Sequence, residues 1–372
     1  MRVVFVIPSL GIGGAERSLT KAIKLIQPYA DHIGAVILTD AHTAMLSDIA
    51  PEVNVQILKQ GSTANPLLWL RVRKLLMNMR PDVVIGWSMY ANFVTVVASG
   101  RRPSWRIVLS ERNYVPHMLA PQRTGTFRRL VLLALMRKLY GKADVVTANS
   151  RRNVRFLSRF VGGRPRYRLL PNIIDVEEVN IQADRPPEIP APVVSGPRIL
   201  GLGRMVHQKG FDVLLEAFAL VRRHVPWRLL LVGDGPAKPV LQAKAKALGI
   251  EEAVTWIGTV KNSFPYYTWA DLVVVPSRFE GFPNVALEAM ACGRAVICSN
   301  CETGPKELTL NGRFGVLVDK ENAEILASAM MRIGLASDER SRLGREAKSH
   351  ILNTYGMHIS GKVYAEALCL VK

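Results

Sequence analysis

A chain of 372 residues, 49% hydrophobic and 21% charged, is too long for one compact core and too apolar to stay unfolded, so two folded domains are expected. A formal net charge of +19 excludes an ordinary near-neutral surface and suits phosphate-bearing partners, whether anionic lipid, a lipid-linked diphosphate or nucleic acid, or else a surface charged only for solubility. Cys292, Cys298, Cys301 and Cys369 are too few and too clustered for a disulfide scaffold, and the spacing of Cys298 and Cys301 lacks the second ligand pair a structural zinc requires, so reduced thiols and no metal are expected.

Met1 to Pro8 carries one basic residue and a five-residue apolar run, too short for the core of a signal peptide, and reads as a first strand. The turn from Gly11 to Arg17 then opens a helix whose exposed amides and positive dipole end favour an anion, which makes Gly13 and Gly14 candidate phosphate contacts. A tight turn that needs glycine for its geometry explains them equally well. Short β-rich runs at 3–7, 33–38, 53–58, 82–86, 106–109 and 144–147 alternate with helical patterns, the signature of a parallel sheet. Leu68, Val72, Leu75, Leu76 and Met79 recur at helical spacing between the third and fourth runs.

The uncharged stretch from Val83 to Gly100 is interrupted by Gly86, Ser88, Asn92, Thr95 and Ser99, so it reads as strand, loop and buried helix rather than a membrane span. With neither signal nor span, the chain is expected in the cytoplasm. Between Arg71 and Arg168 there are 21 Lys and Arg against Asp82, Glu111 and Asp144, so the excess charge sits in the first half. Within it, the segment from Arg123 to Lys142 sets Arg128, Arg129, Arg137, Lys138 and Lys142 around an apolar run, the composition of a helix resting in a lipid interface or of a core helix with charged ends.

Five prolines between Asn180 and Pro197 suit neither helix nor sheet and predict a linker. The expected division is a first domain over 1–178, a linker over 179–197, a second domain over 198–352 and a final helix over 353–372. In the second half β-rich runs return at 198–202, 228–232, 253–257, 272–275, 295–297 and 315–318. Gly201 to Gly210 follows the first of them; Arg204 offers a rigid fork of donors and Lys209 a mobile point charge, a pairing that suits a diphosphate or, equally, two solvated side chains. The segment Pro276 to Met290 joins an apolar strand to a helix that Pro283 can open, so the amides of Asn284, Val285 and Ala286 can bind phosphate. Glu280 before that helix and Glu288 inside it can accept hydrogen bonds from sugar and ribose hydroxyls, or serve as surface acids at a helix start.

The Glu280 to Glu288 element, with Gly281, Pro283 and Asn284 between the two acids, preceded by Gly201 to Gly210 and by Tyr266 to Asp271, resembles the retaining glycosyltransferases of family 4 over almost the whole chain. The resemblance implies an α/β GT-B fold, two Rossmann-like parallel-sheet domains facing across a cleft, with the donor on the second domain and the acceptor on the first. It implies that Arg204 and Lys209 hold the donor diphosphate, that Glu288 holds the ribose, and that Glu280 contacts the donor sugar. Gly13, Gly14, Gly281, Phe282, Pro283, Asn284, Val285 and Ala286 would line the donor, and the last helix would cross back to the first domain.

Ser110-Glu111-Arg112-Asn113 stands where many members carry a histidine, and is similar to a branch that extends glycans on polyprenyl diphosphate lipids, often from UDP-N-acetylhexosamines. By that likeness Glu111 takes a catalytic place, and Glu111, Arg112, Asn113 and Gly13 border the acceptor; alternatively Glu111 and Arg112 form a structural ion pair. The expected partners are a UDP-sugar, a lipid-linked glycan and an anionic membrane surface on the inner face of the cell membrane. No cofactor is expected, because the chain lacks an Asp-x-Asp to hold a metal and fixed cations can take the leaving-group charge. A GDP-mannose donor, a nucleic-acid binder without catalysis, and an epimerase or phosphorylase on a similar fold are the rival readings.

Overall fold

The computed structural model describes the chain apart from Ile12, 59–66, Arg102, 121–124, 194–195 and Lys372, and the described residues form two compact units. The first comprises Met1–Ile173 with Met357–Lys372, the second Ile174–Gly356. In the first unit, β1 (Arg2–Ile7), β2 (His32–Ile37), β3 (Asn54–Ile57), β4 (Val83–Trp87), β5 (Arg106–Glu111), β6 (Val145–Ala148) and β7 (Arg166–Leu169) make one parallel sheet in the order β3-β2-β1-β4-β5-β6-β7.

Side chains alternate across a strand, and helices cover both faces of this sheet, so both sets are apolar. Val3, Phe5 and Ile7 join the core under helix Gly14–Ile26, and Val4 and Val6 join the core under helices Leu68–Met79 and Met89–Ser99. The strand β7 has no counterpart among the runs read from sequence. Its Arg-Tyr-Arg-Leu puts exposed arginines at alternate positions of an edge, where charge guards unpaired backbone groups.

The second unit holds β8 (Arg198–Leu202), β9 (Arg228–Val232), β10 (Val254–Ile257), β11 (Leu272–Val275), β12 (Ala295–Ser299) and β13 (Val316–Val318) in the parallel order β10-β9-β8-β11-β12-β13. Strand order reverses between β1 and β4 in one sheet and between β8 and β11 in the other. At such a reversal, connections leave in opposite directions at the strands' carboxyl ends and open a crevice there.

The boundary between the units differs from the linker read from the prolines. It falls at Ile173–Ile174, and helix Val176–Ala183 begins the second unit, with Asp175 as its N-cap accepting from the Glu178 amide at 3.3 Å. The described part of the proline-rich segment beyond it is a strap bound to the second unit. Tyr266 donates its hydroxyl to the Ile189 carbonyl at 2.9 Å, and Glu188 Oε1 accepts from the Lys261 and Asn262 amides at 2.7 and 2.8 Å. Proline forbids a ladder but leaves carbonyls and neighbouring side chains free to dock. The chain leaves the second unit at Gly356, and helix Met357–Ala367 packs on helix Gly14–Ile26 in the first.

Candidate functional site

Three loops meet at the carboxyl ends of β8, β11 and β12. Glycines let them touch backbone to backbone: Gly210 has φ +66°, and a Cβ there would stand 2.1 Å from the Pro276 carbonyl oxygen. Gly304, at φ +75°, brings the loop after β12 onto Phe282 and Pro283. Arg278 ties the arrangement together, with its guanidinium bidentate to Asp212 at 2.8 and 2.7 Å, a further bond to the His207 carbonyl and a 2.7 Å contact to Glu321.

Inside this frame Lys209 and Glu280, 71 residues apart, come together. Lys209 Nζ lies 2.7 Å from Glu280 Oε1, and the Ser277 hydroxyl donates to the same oxygen at 2.7 Å. The Thr303 hydroxyl donates to the Glu280 carbonyl. Glu280 is thus 5% exposed with one carboxylate oxygen pinned by a cation and a hydroxyl. An ammonium has three donors, so Lys209 keeps capacity for an anion while it holds Glu280.

Arg204 is exposed on the loop after β8. Phe282, Pro283 and Ala286 are buried, while Gly281, Asn284 and Val285 are half-buried along the entry to helix Asn284–Ala291. Glu288 lies farther along that helix, 4% exposed, and accepts from the Tyr267 hydroxyl at 2.9 Å. Ser277, Thr303 and Arg278 were missed as site residues in the sequence; only the convergence of loops gives them partners. Cys301 donates its thiol to the Ser277 carbonyl at 2.9 Å, and burial pushes that thiol up to about 12 and the Cys298 thiol up as well, so both stay protonated.

In the first unit the reversal point is flanked by the glycine-rich turn, of which Ile12 lies outside the described residues, and by Ser88, a non-glycine residue at φ +84°. The Glu16 carboxylate folds back over Gly13, where a Cβ would meet its Oε2 at 2.3 Å. The Glu16 carboxylate thus occupies the space over the turn that was expected to receive a phosphate, while the Gly13 amide donates to the Gly11 carbonyl at 3.0 Å.

Glu111 and Arg112, read from sequence either as a catalytic acid and an acceptor contact or as a structural ion pair, are buried, at 0% and 5% exposure. Glu111 Oε2 accepts from the Tyr140 hydroxyl at 2.8 Å, Oε1 accepts from the Arg112 and Asn113 amides, and burial raises its pKa to about 7. Arg112 donates to the Leu170 carbonyl at 2.9 Å, to Ser18 at 2.6 Å and to Asn172, and lies 4.7 Å over the Trp87 ring. Asn113 is the exposed member of the group, and its carbonyl accepts from Asn153 at 2.8 Å.

Residues 36–178 match the model of the Glycosyltransferase Family 4 domain, and 196–334 match that of the Glycosyl transferases group 1 domain. The chain belongs to this glycosyltransferase family. Among its curated relatives is the N-acetylgalactosamine-N,N'-diacetylbacillosaminyl-diphospho-undecaprenol 4-alpha-N-acetylgalactosaminyltransferase of Campylobacter jejuni, 28% identical over 84% of this chain and 85% of that protein. The lipopolysaccharide core biosynthesis glycosyltransferase LpsE of Rhizobium meliloti is 25% identical over 96% of each. Among solved structures, Anabaena HepE in complex with UDP superposes with a TM-score of 0.79 at 20% identity over 100% of each chain, which shows the fold of this glycosyltransferase to be GT-B. The enzyme class expected from the Glu280 to Glu288 element is therefore established, and the two parallel-sheet α/β domains are those of GT-B enzymes.

Proposed function

We propose that this glycosyltransferase moves a hexose or N-acetylhexosamine from a UDP-sugar to a polyprenyl-diphosphate-linked glycan, with retention, at the inner face of an anionic membrane. The observation that carries the reading is the Lys209–Glu280 pair at the β8/β11 reversal: one ammonium able to bridge a carboxylate and a diphosphate, and one carboxylate whose second oxygen can accept from a sugar hydroxyl. Arg204 adds a second cation for the departing diphosphate, the entry to helix Asn284–Ala291 supplies amides, and Glu288 grips the ribose. The acceptor class is supported by the lipid diphosphate named for the Campylobacter jejuni relative. The excess positive charge serves those lipid phosphates rather than nucleic acid. Among the described residues no helix is long and apolar enough to cross a membrane, which suits peripheral attachment.

A GDP-mannose donor has support of its own, because a GDP-mannose-dependent mannosyltransferase of Mycolicibacterium smegmatis is 30% identical over 63% of this chain and 64% of that protein. Incubating the purified protein with a panel of UDP- and GDP-sugars and a bacterial lipid extract, followed by mass spectrometry, tests both. The expected product is a polyprenyl diphosphate glycan heavier by one UDP-derived sugar, with turnover by Glu280→Gln lower by at least a hundredfold, roughly the effect of removing one preorganised electrostatic group. Consumption of GDP-mannose alone would transfer the reading to the mannosyl class, and undiminished turnover by Glu280→Gln would remove its basis.

A further inference from the structure

Ten of the fifteen positions of helix Thr126–Tyr140 are Leu, Val, Ala, Met, Phe or Tyr, with Arg128, Arg129, Arg137 and Lys138 towards its two ends. Here only Met136 and Tyr140 are fully buried, whereas Phe127 is 82% exposed and Leu130, Val131 and Leu135 are 58, 42 and 41% exposed. Positions 127, 130, 131, 134 and 135 recur at three- and four-residue spacing and share one face. Arg128 and Arg137 border that face and Lys138 closes its end, all three exposed. Helix Arg151–Val161 packs alongside and exposes Arg151, Arg152, Arg155 and Arg159.

We propose that this surface is an interfacial membrane anchor: helix Thr126–Tyr140 lies in the plane of an anionic leaflet with its apolar stripe at the acyl boundary and its arginine and lysine rim on lipid phosphates. The rim decides the occupant. A second copy of the chain docked on the same face would set these cations against their own images, which opposes association, while a leaflet of phosphates complements them. Fifteen residues of helix reach about 22 Å, short of the roughly 30 Å of hydrocarbon, so the helix rests on the bilayer rather than crossing it. The long stems of Arg128, Arg137 and Lys138 let their charged ends reach headgroups while the aliphatic parts extend the apolar stripe. The inference rests on the membrane part of the function proposed above. Vesicle binding requires no sugar nucleotide, so its failure is read separately from failure of the donor reading.

The test is flotation of the full chain with vesicles of phosphatidylcholine alone or mixed with an equal part of phosphatidylglycerol. The mixed vesicles are expected to bind and the neutral ones to bind weakly. The combined change Phe127→Gln, Leu130→Gln, Leu135→Gln, on exposed positions that leave the thermal midpoint unchanged, is expected to lower partitioning on the order of a hundredfold. Arg128→Gln, Arg137→Gln and Lys138→Gln together should cost about fivefold per charge and flatten the salt dependence. Equal partitioning of the apolar variant and the unaltered chain overturns the proposal, as does a dimer in sedimentation that the apolar variant abolishes without vesicle binding in the unaltered chain.

Discussion

At Glu111 burial sets the proton affinity of a single carboxyl group. The sequence places an acid at the end of β5, and two fates are open to it: facing a substrate, or completing a buried network. The observed carboxylate is fully enclosed, with acceptor contacts from the Tyr140 hydroxyl and two backbone amides, and desolvation raises its pKa from 4.5 to about 7. A raised carboxylate pKa means the folded state binds a proton that the unfolded state has released between those values. The associated stability is fully present below pH 4.5 and is lost as pH rises through 7, an effect of up to about 3 kcal/mol. Denaturant unfolding of the unaltered chain and of Glu111→Gln at pH 5 and pH 8 checks this. The unaltered chain should lose stability across the interval and the glutamine variant should lose distinctly less; parallel losses would assign the titration elsewhere.

At the scale of elements, the loops at the β8/β11 reversal depend on one close approach more than on any side chain. Gly210 and Gly249 both have left-handed φ, +66° and +70°, but a Cβ on Gly210 would lie 2.1 Å from a backbone oxygen whereas one on Gly249 would meet nothing within 4 Å. Gly249→Ala should therefore cost about 1 kcal/mol of left-handed strain, and Gly210→Ala about 2 kcal/mol beyond that, since the obstructing atom is backbone and must shift. Chemical denaturation of the two variants isolates the contact; equal losses would mean that the loop after β8 can move away from Pro276 at no cost. The contrast between strands and loops also explains what could be read from the sequence. Strands of a parallel sheet covered on both faces are continuous apolar runs, so twelve of the thirteen strands among the described residues were legible, and the exception, β7, alternates arginine with half-buried residues at an edge. Lys209 and Glu280 were legible as separate motifs. Their mutual contact, and the hydroxyls of Ser277 and Thr303 that orient Glu280, were not, because they exist only where loops distant in sequence converge. The proline-rich segment was misplaced for a related reason: its composition excludes a ladder but says nothing of the Tyr266 hydroxyl that binds it.

For the whole molecule, the chain's path makes the first unit depend on its last residues. Unit one is closed by a segment that arrives only after the entire second unit has been traversed. Tyr364, Ala365, Ala367, Leu368 and Leu370 lie in the same apolar core as Val3, Phe5 and Ile7, and the Tyr364 hydroxyl donates to the Pro171 carbonyl. Burying the tyrosine and two leucines alone contributes about 5 kcal/mol, comparable with the entire stability of an ordinary domain. The second unit, by contrast, contains all of its sheet, its strap and helix Ser337–Tyr355 in one continuous stretch, Ile174–Gly356. Removing residues 357–372 should therefore abolish cooperative unfolding of the first sheet while leaving that of the second intact. Hydrogen exchange resolves the two: amides of β1, β4 and β5 should lose protection in the shortened chain, and those of β8, β11 and β12 should keep it. Protection retained equally in both sheets would show that the first core closes without its terminal helix. A fragment spanning 174–356 should fold alone, and one beginning at 198 should be less stable, because it lacks helix Val176–Ala183 and the strap that engages Tyr266.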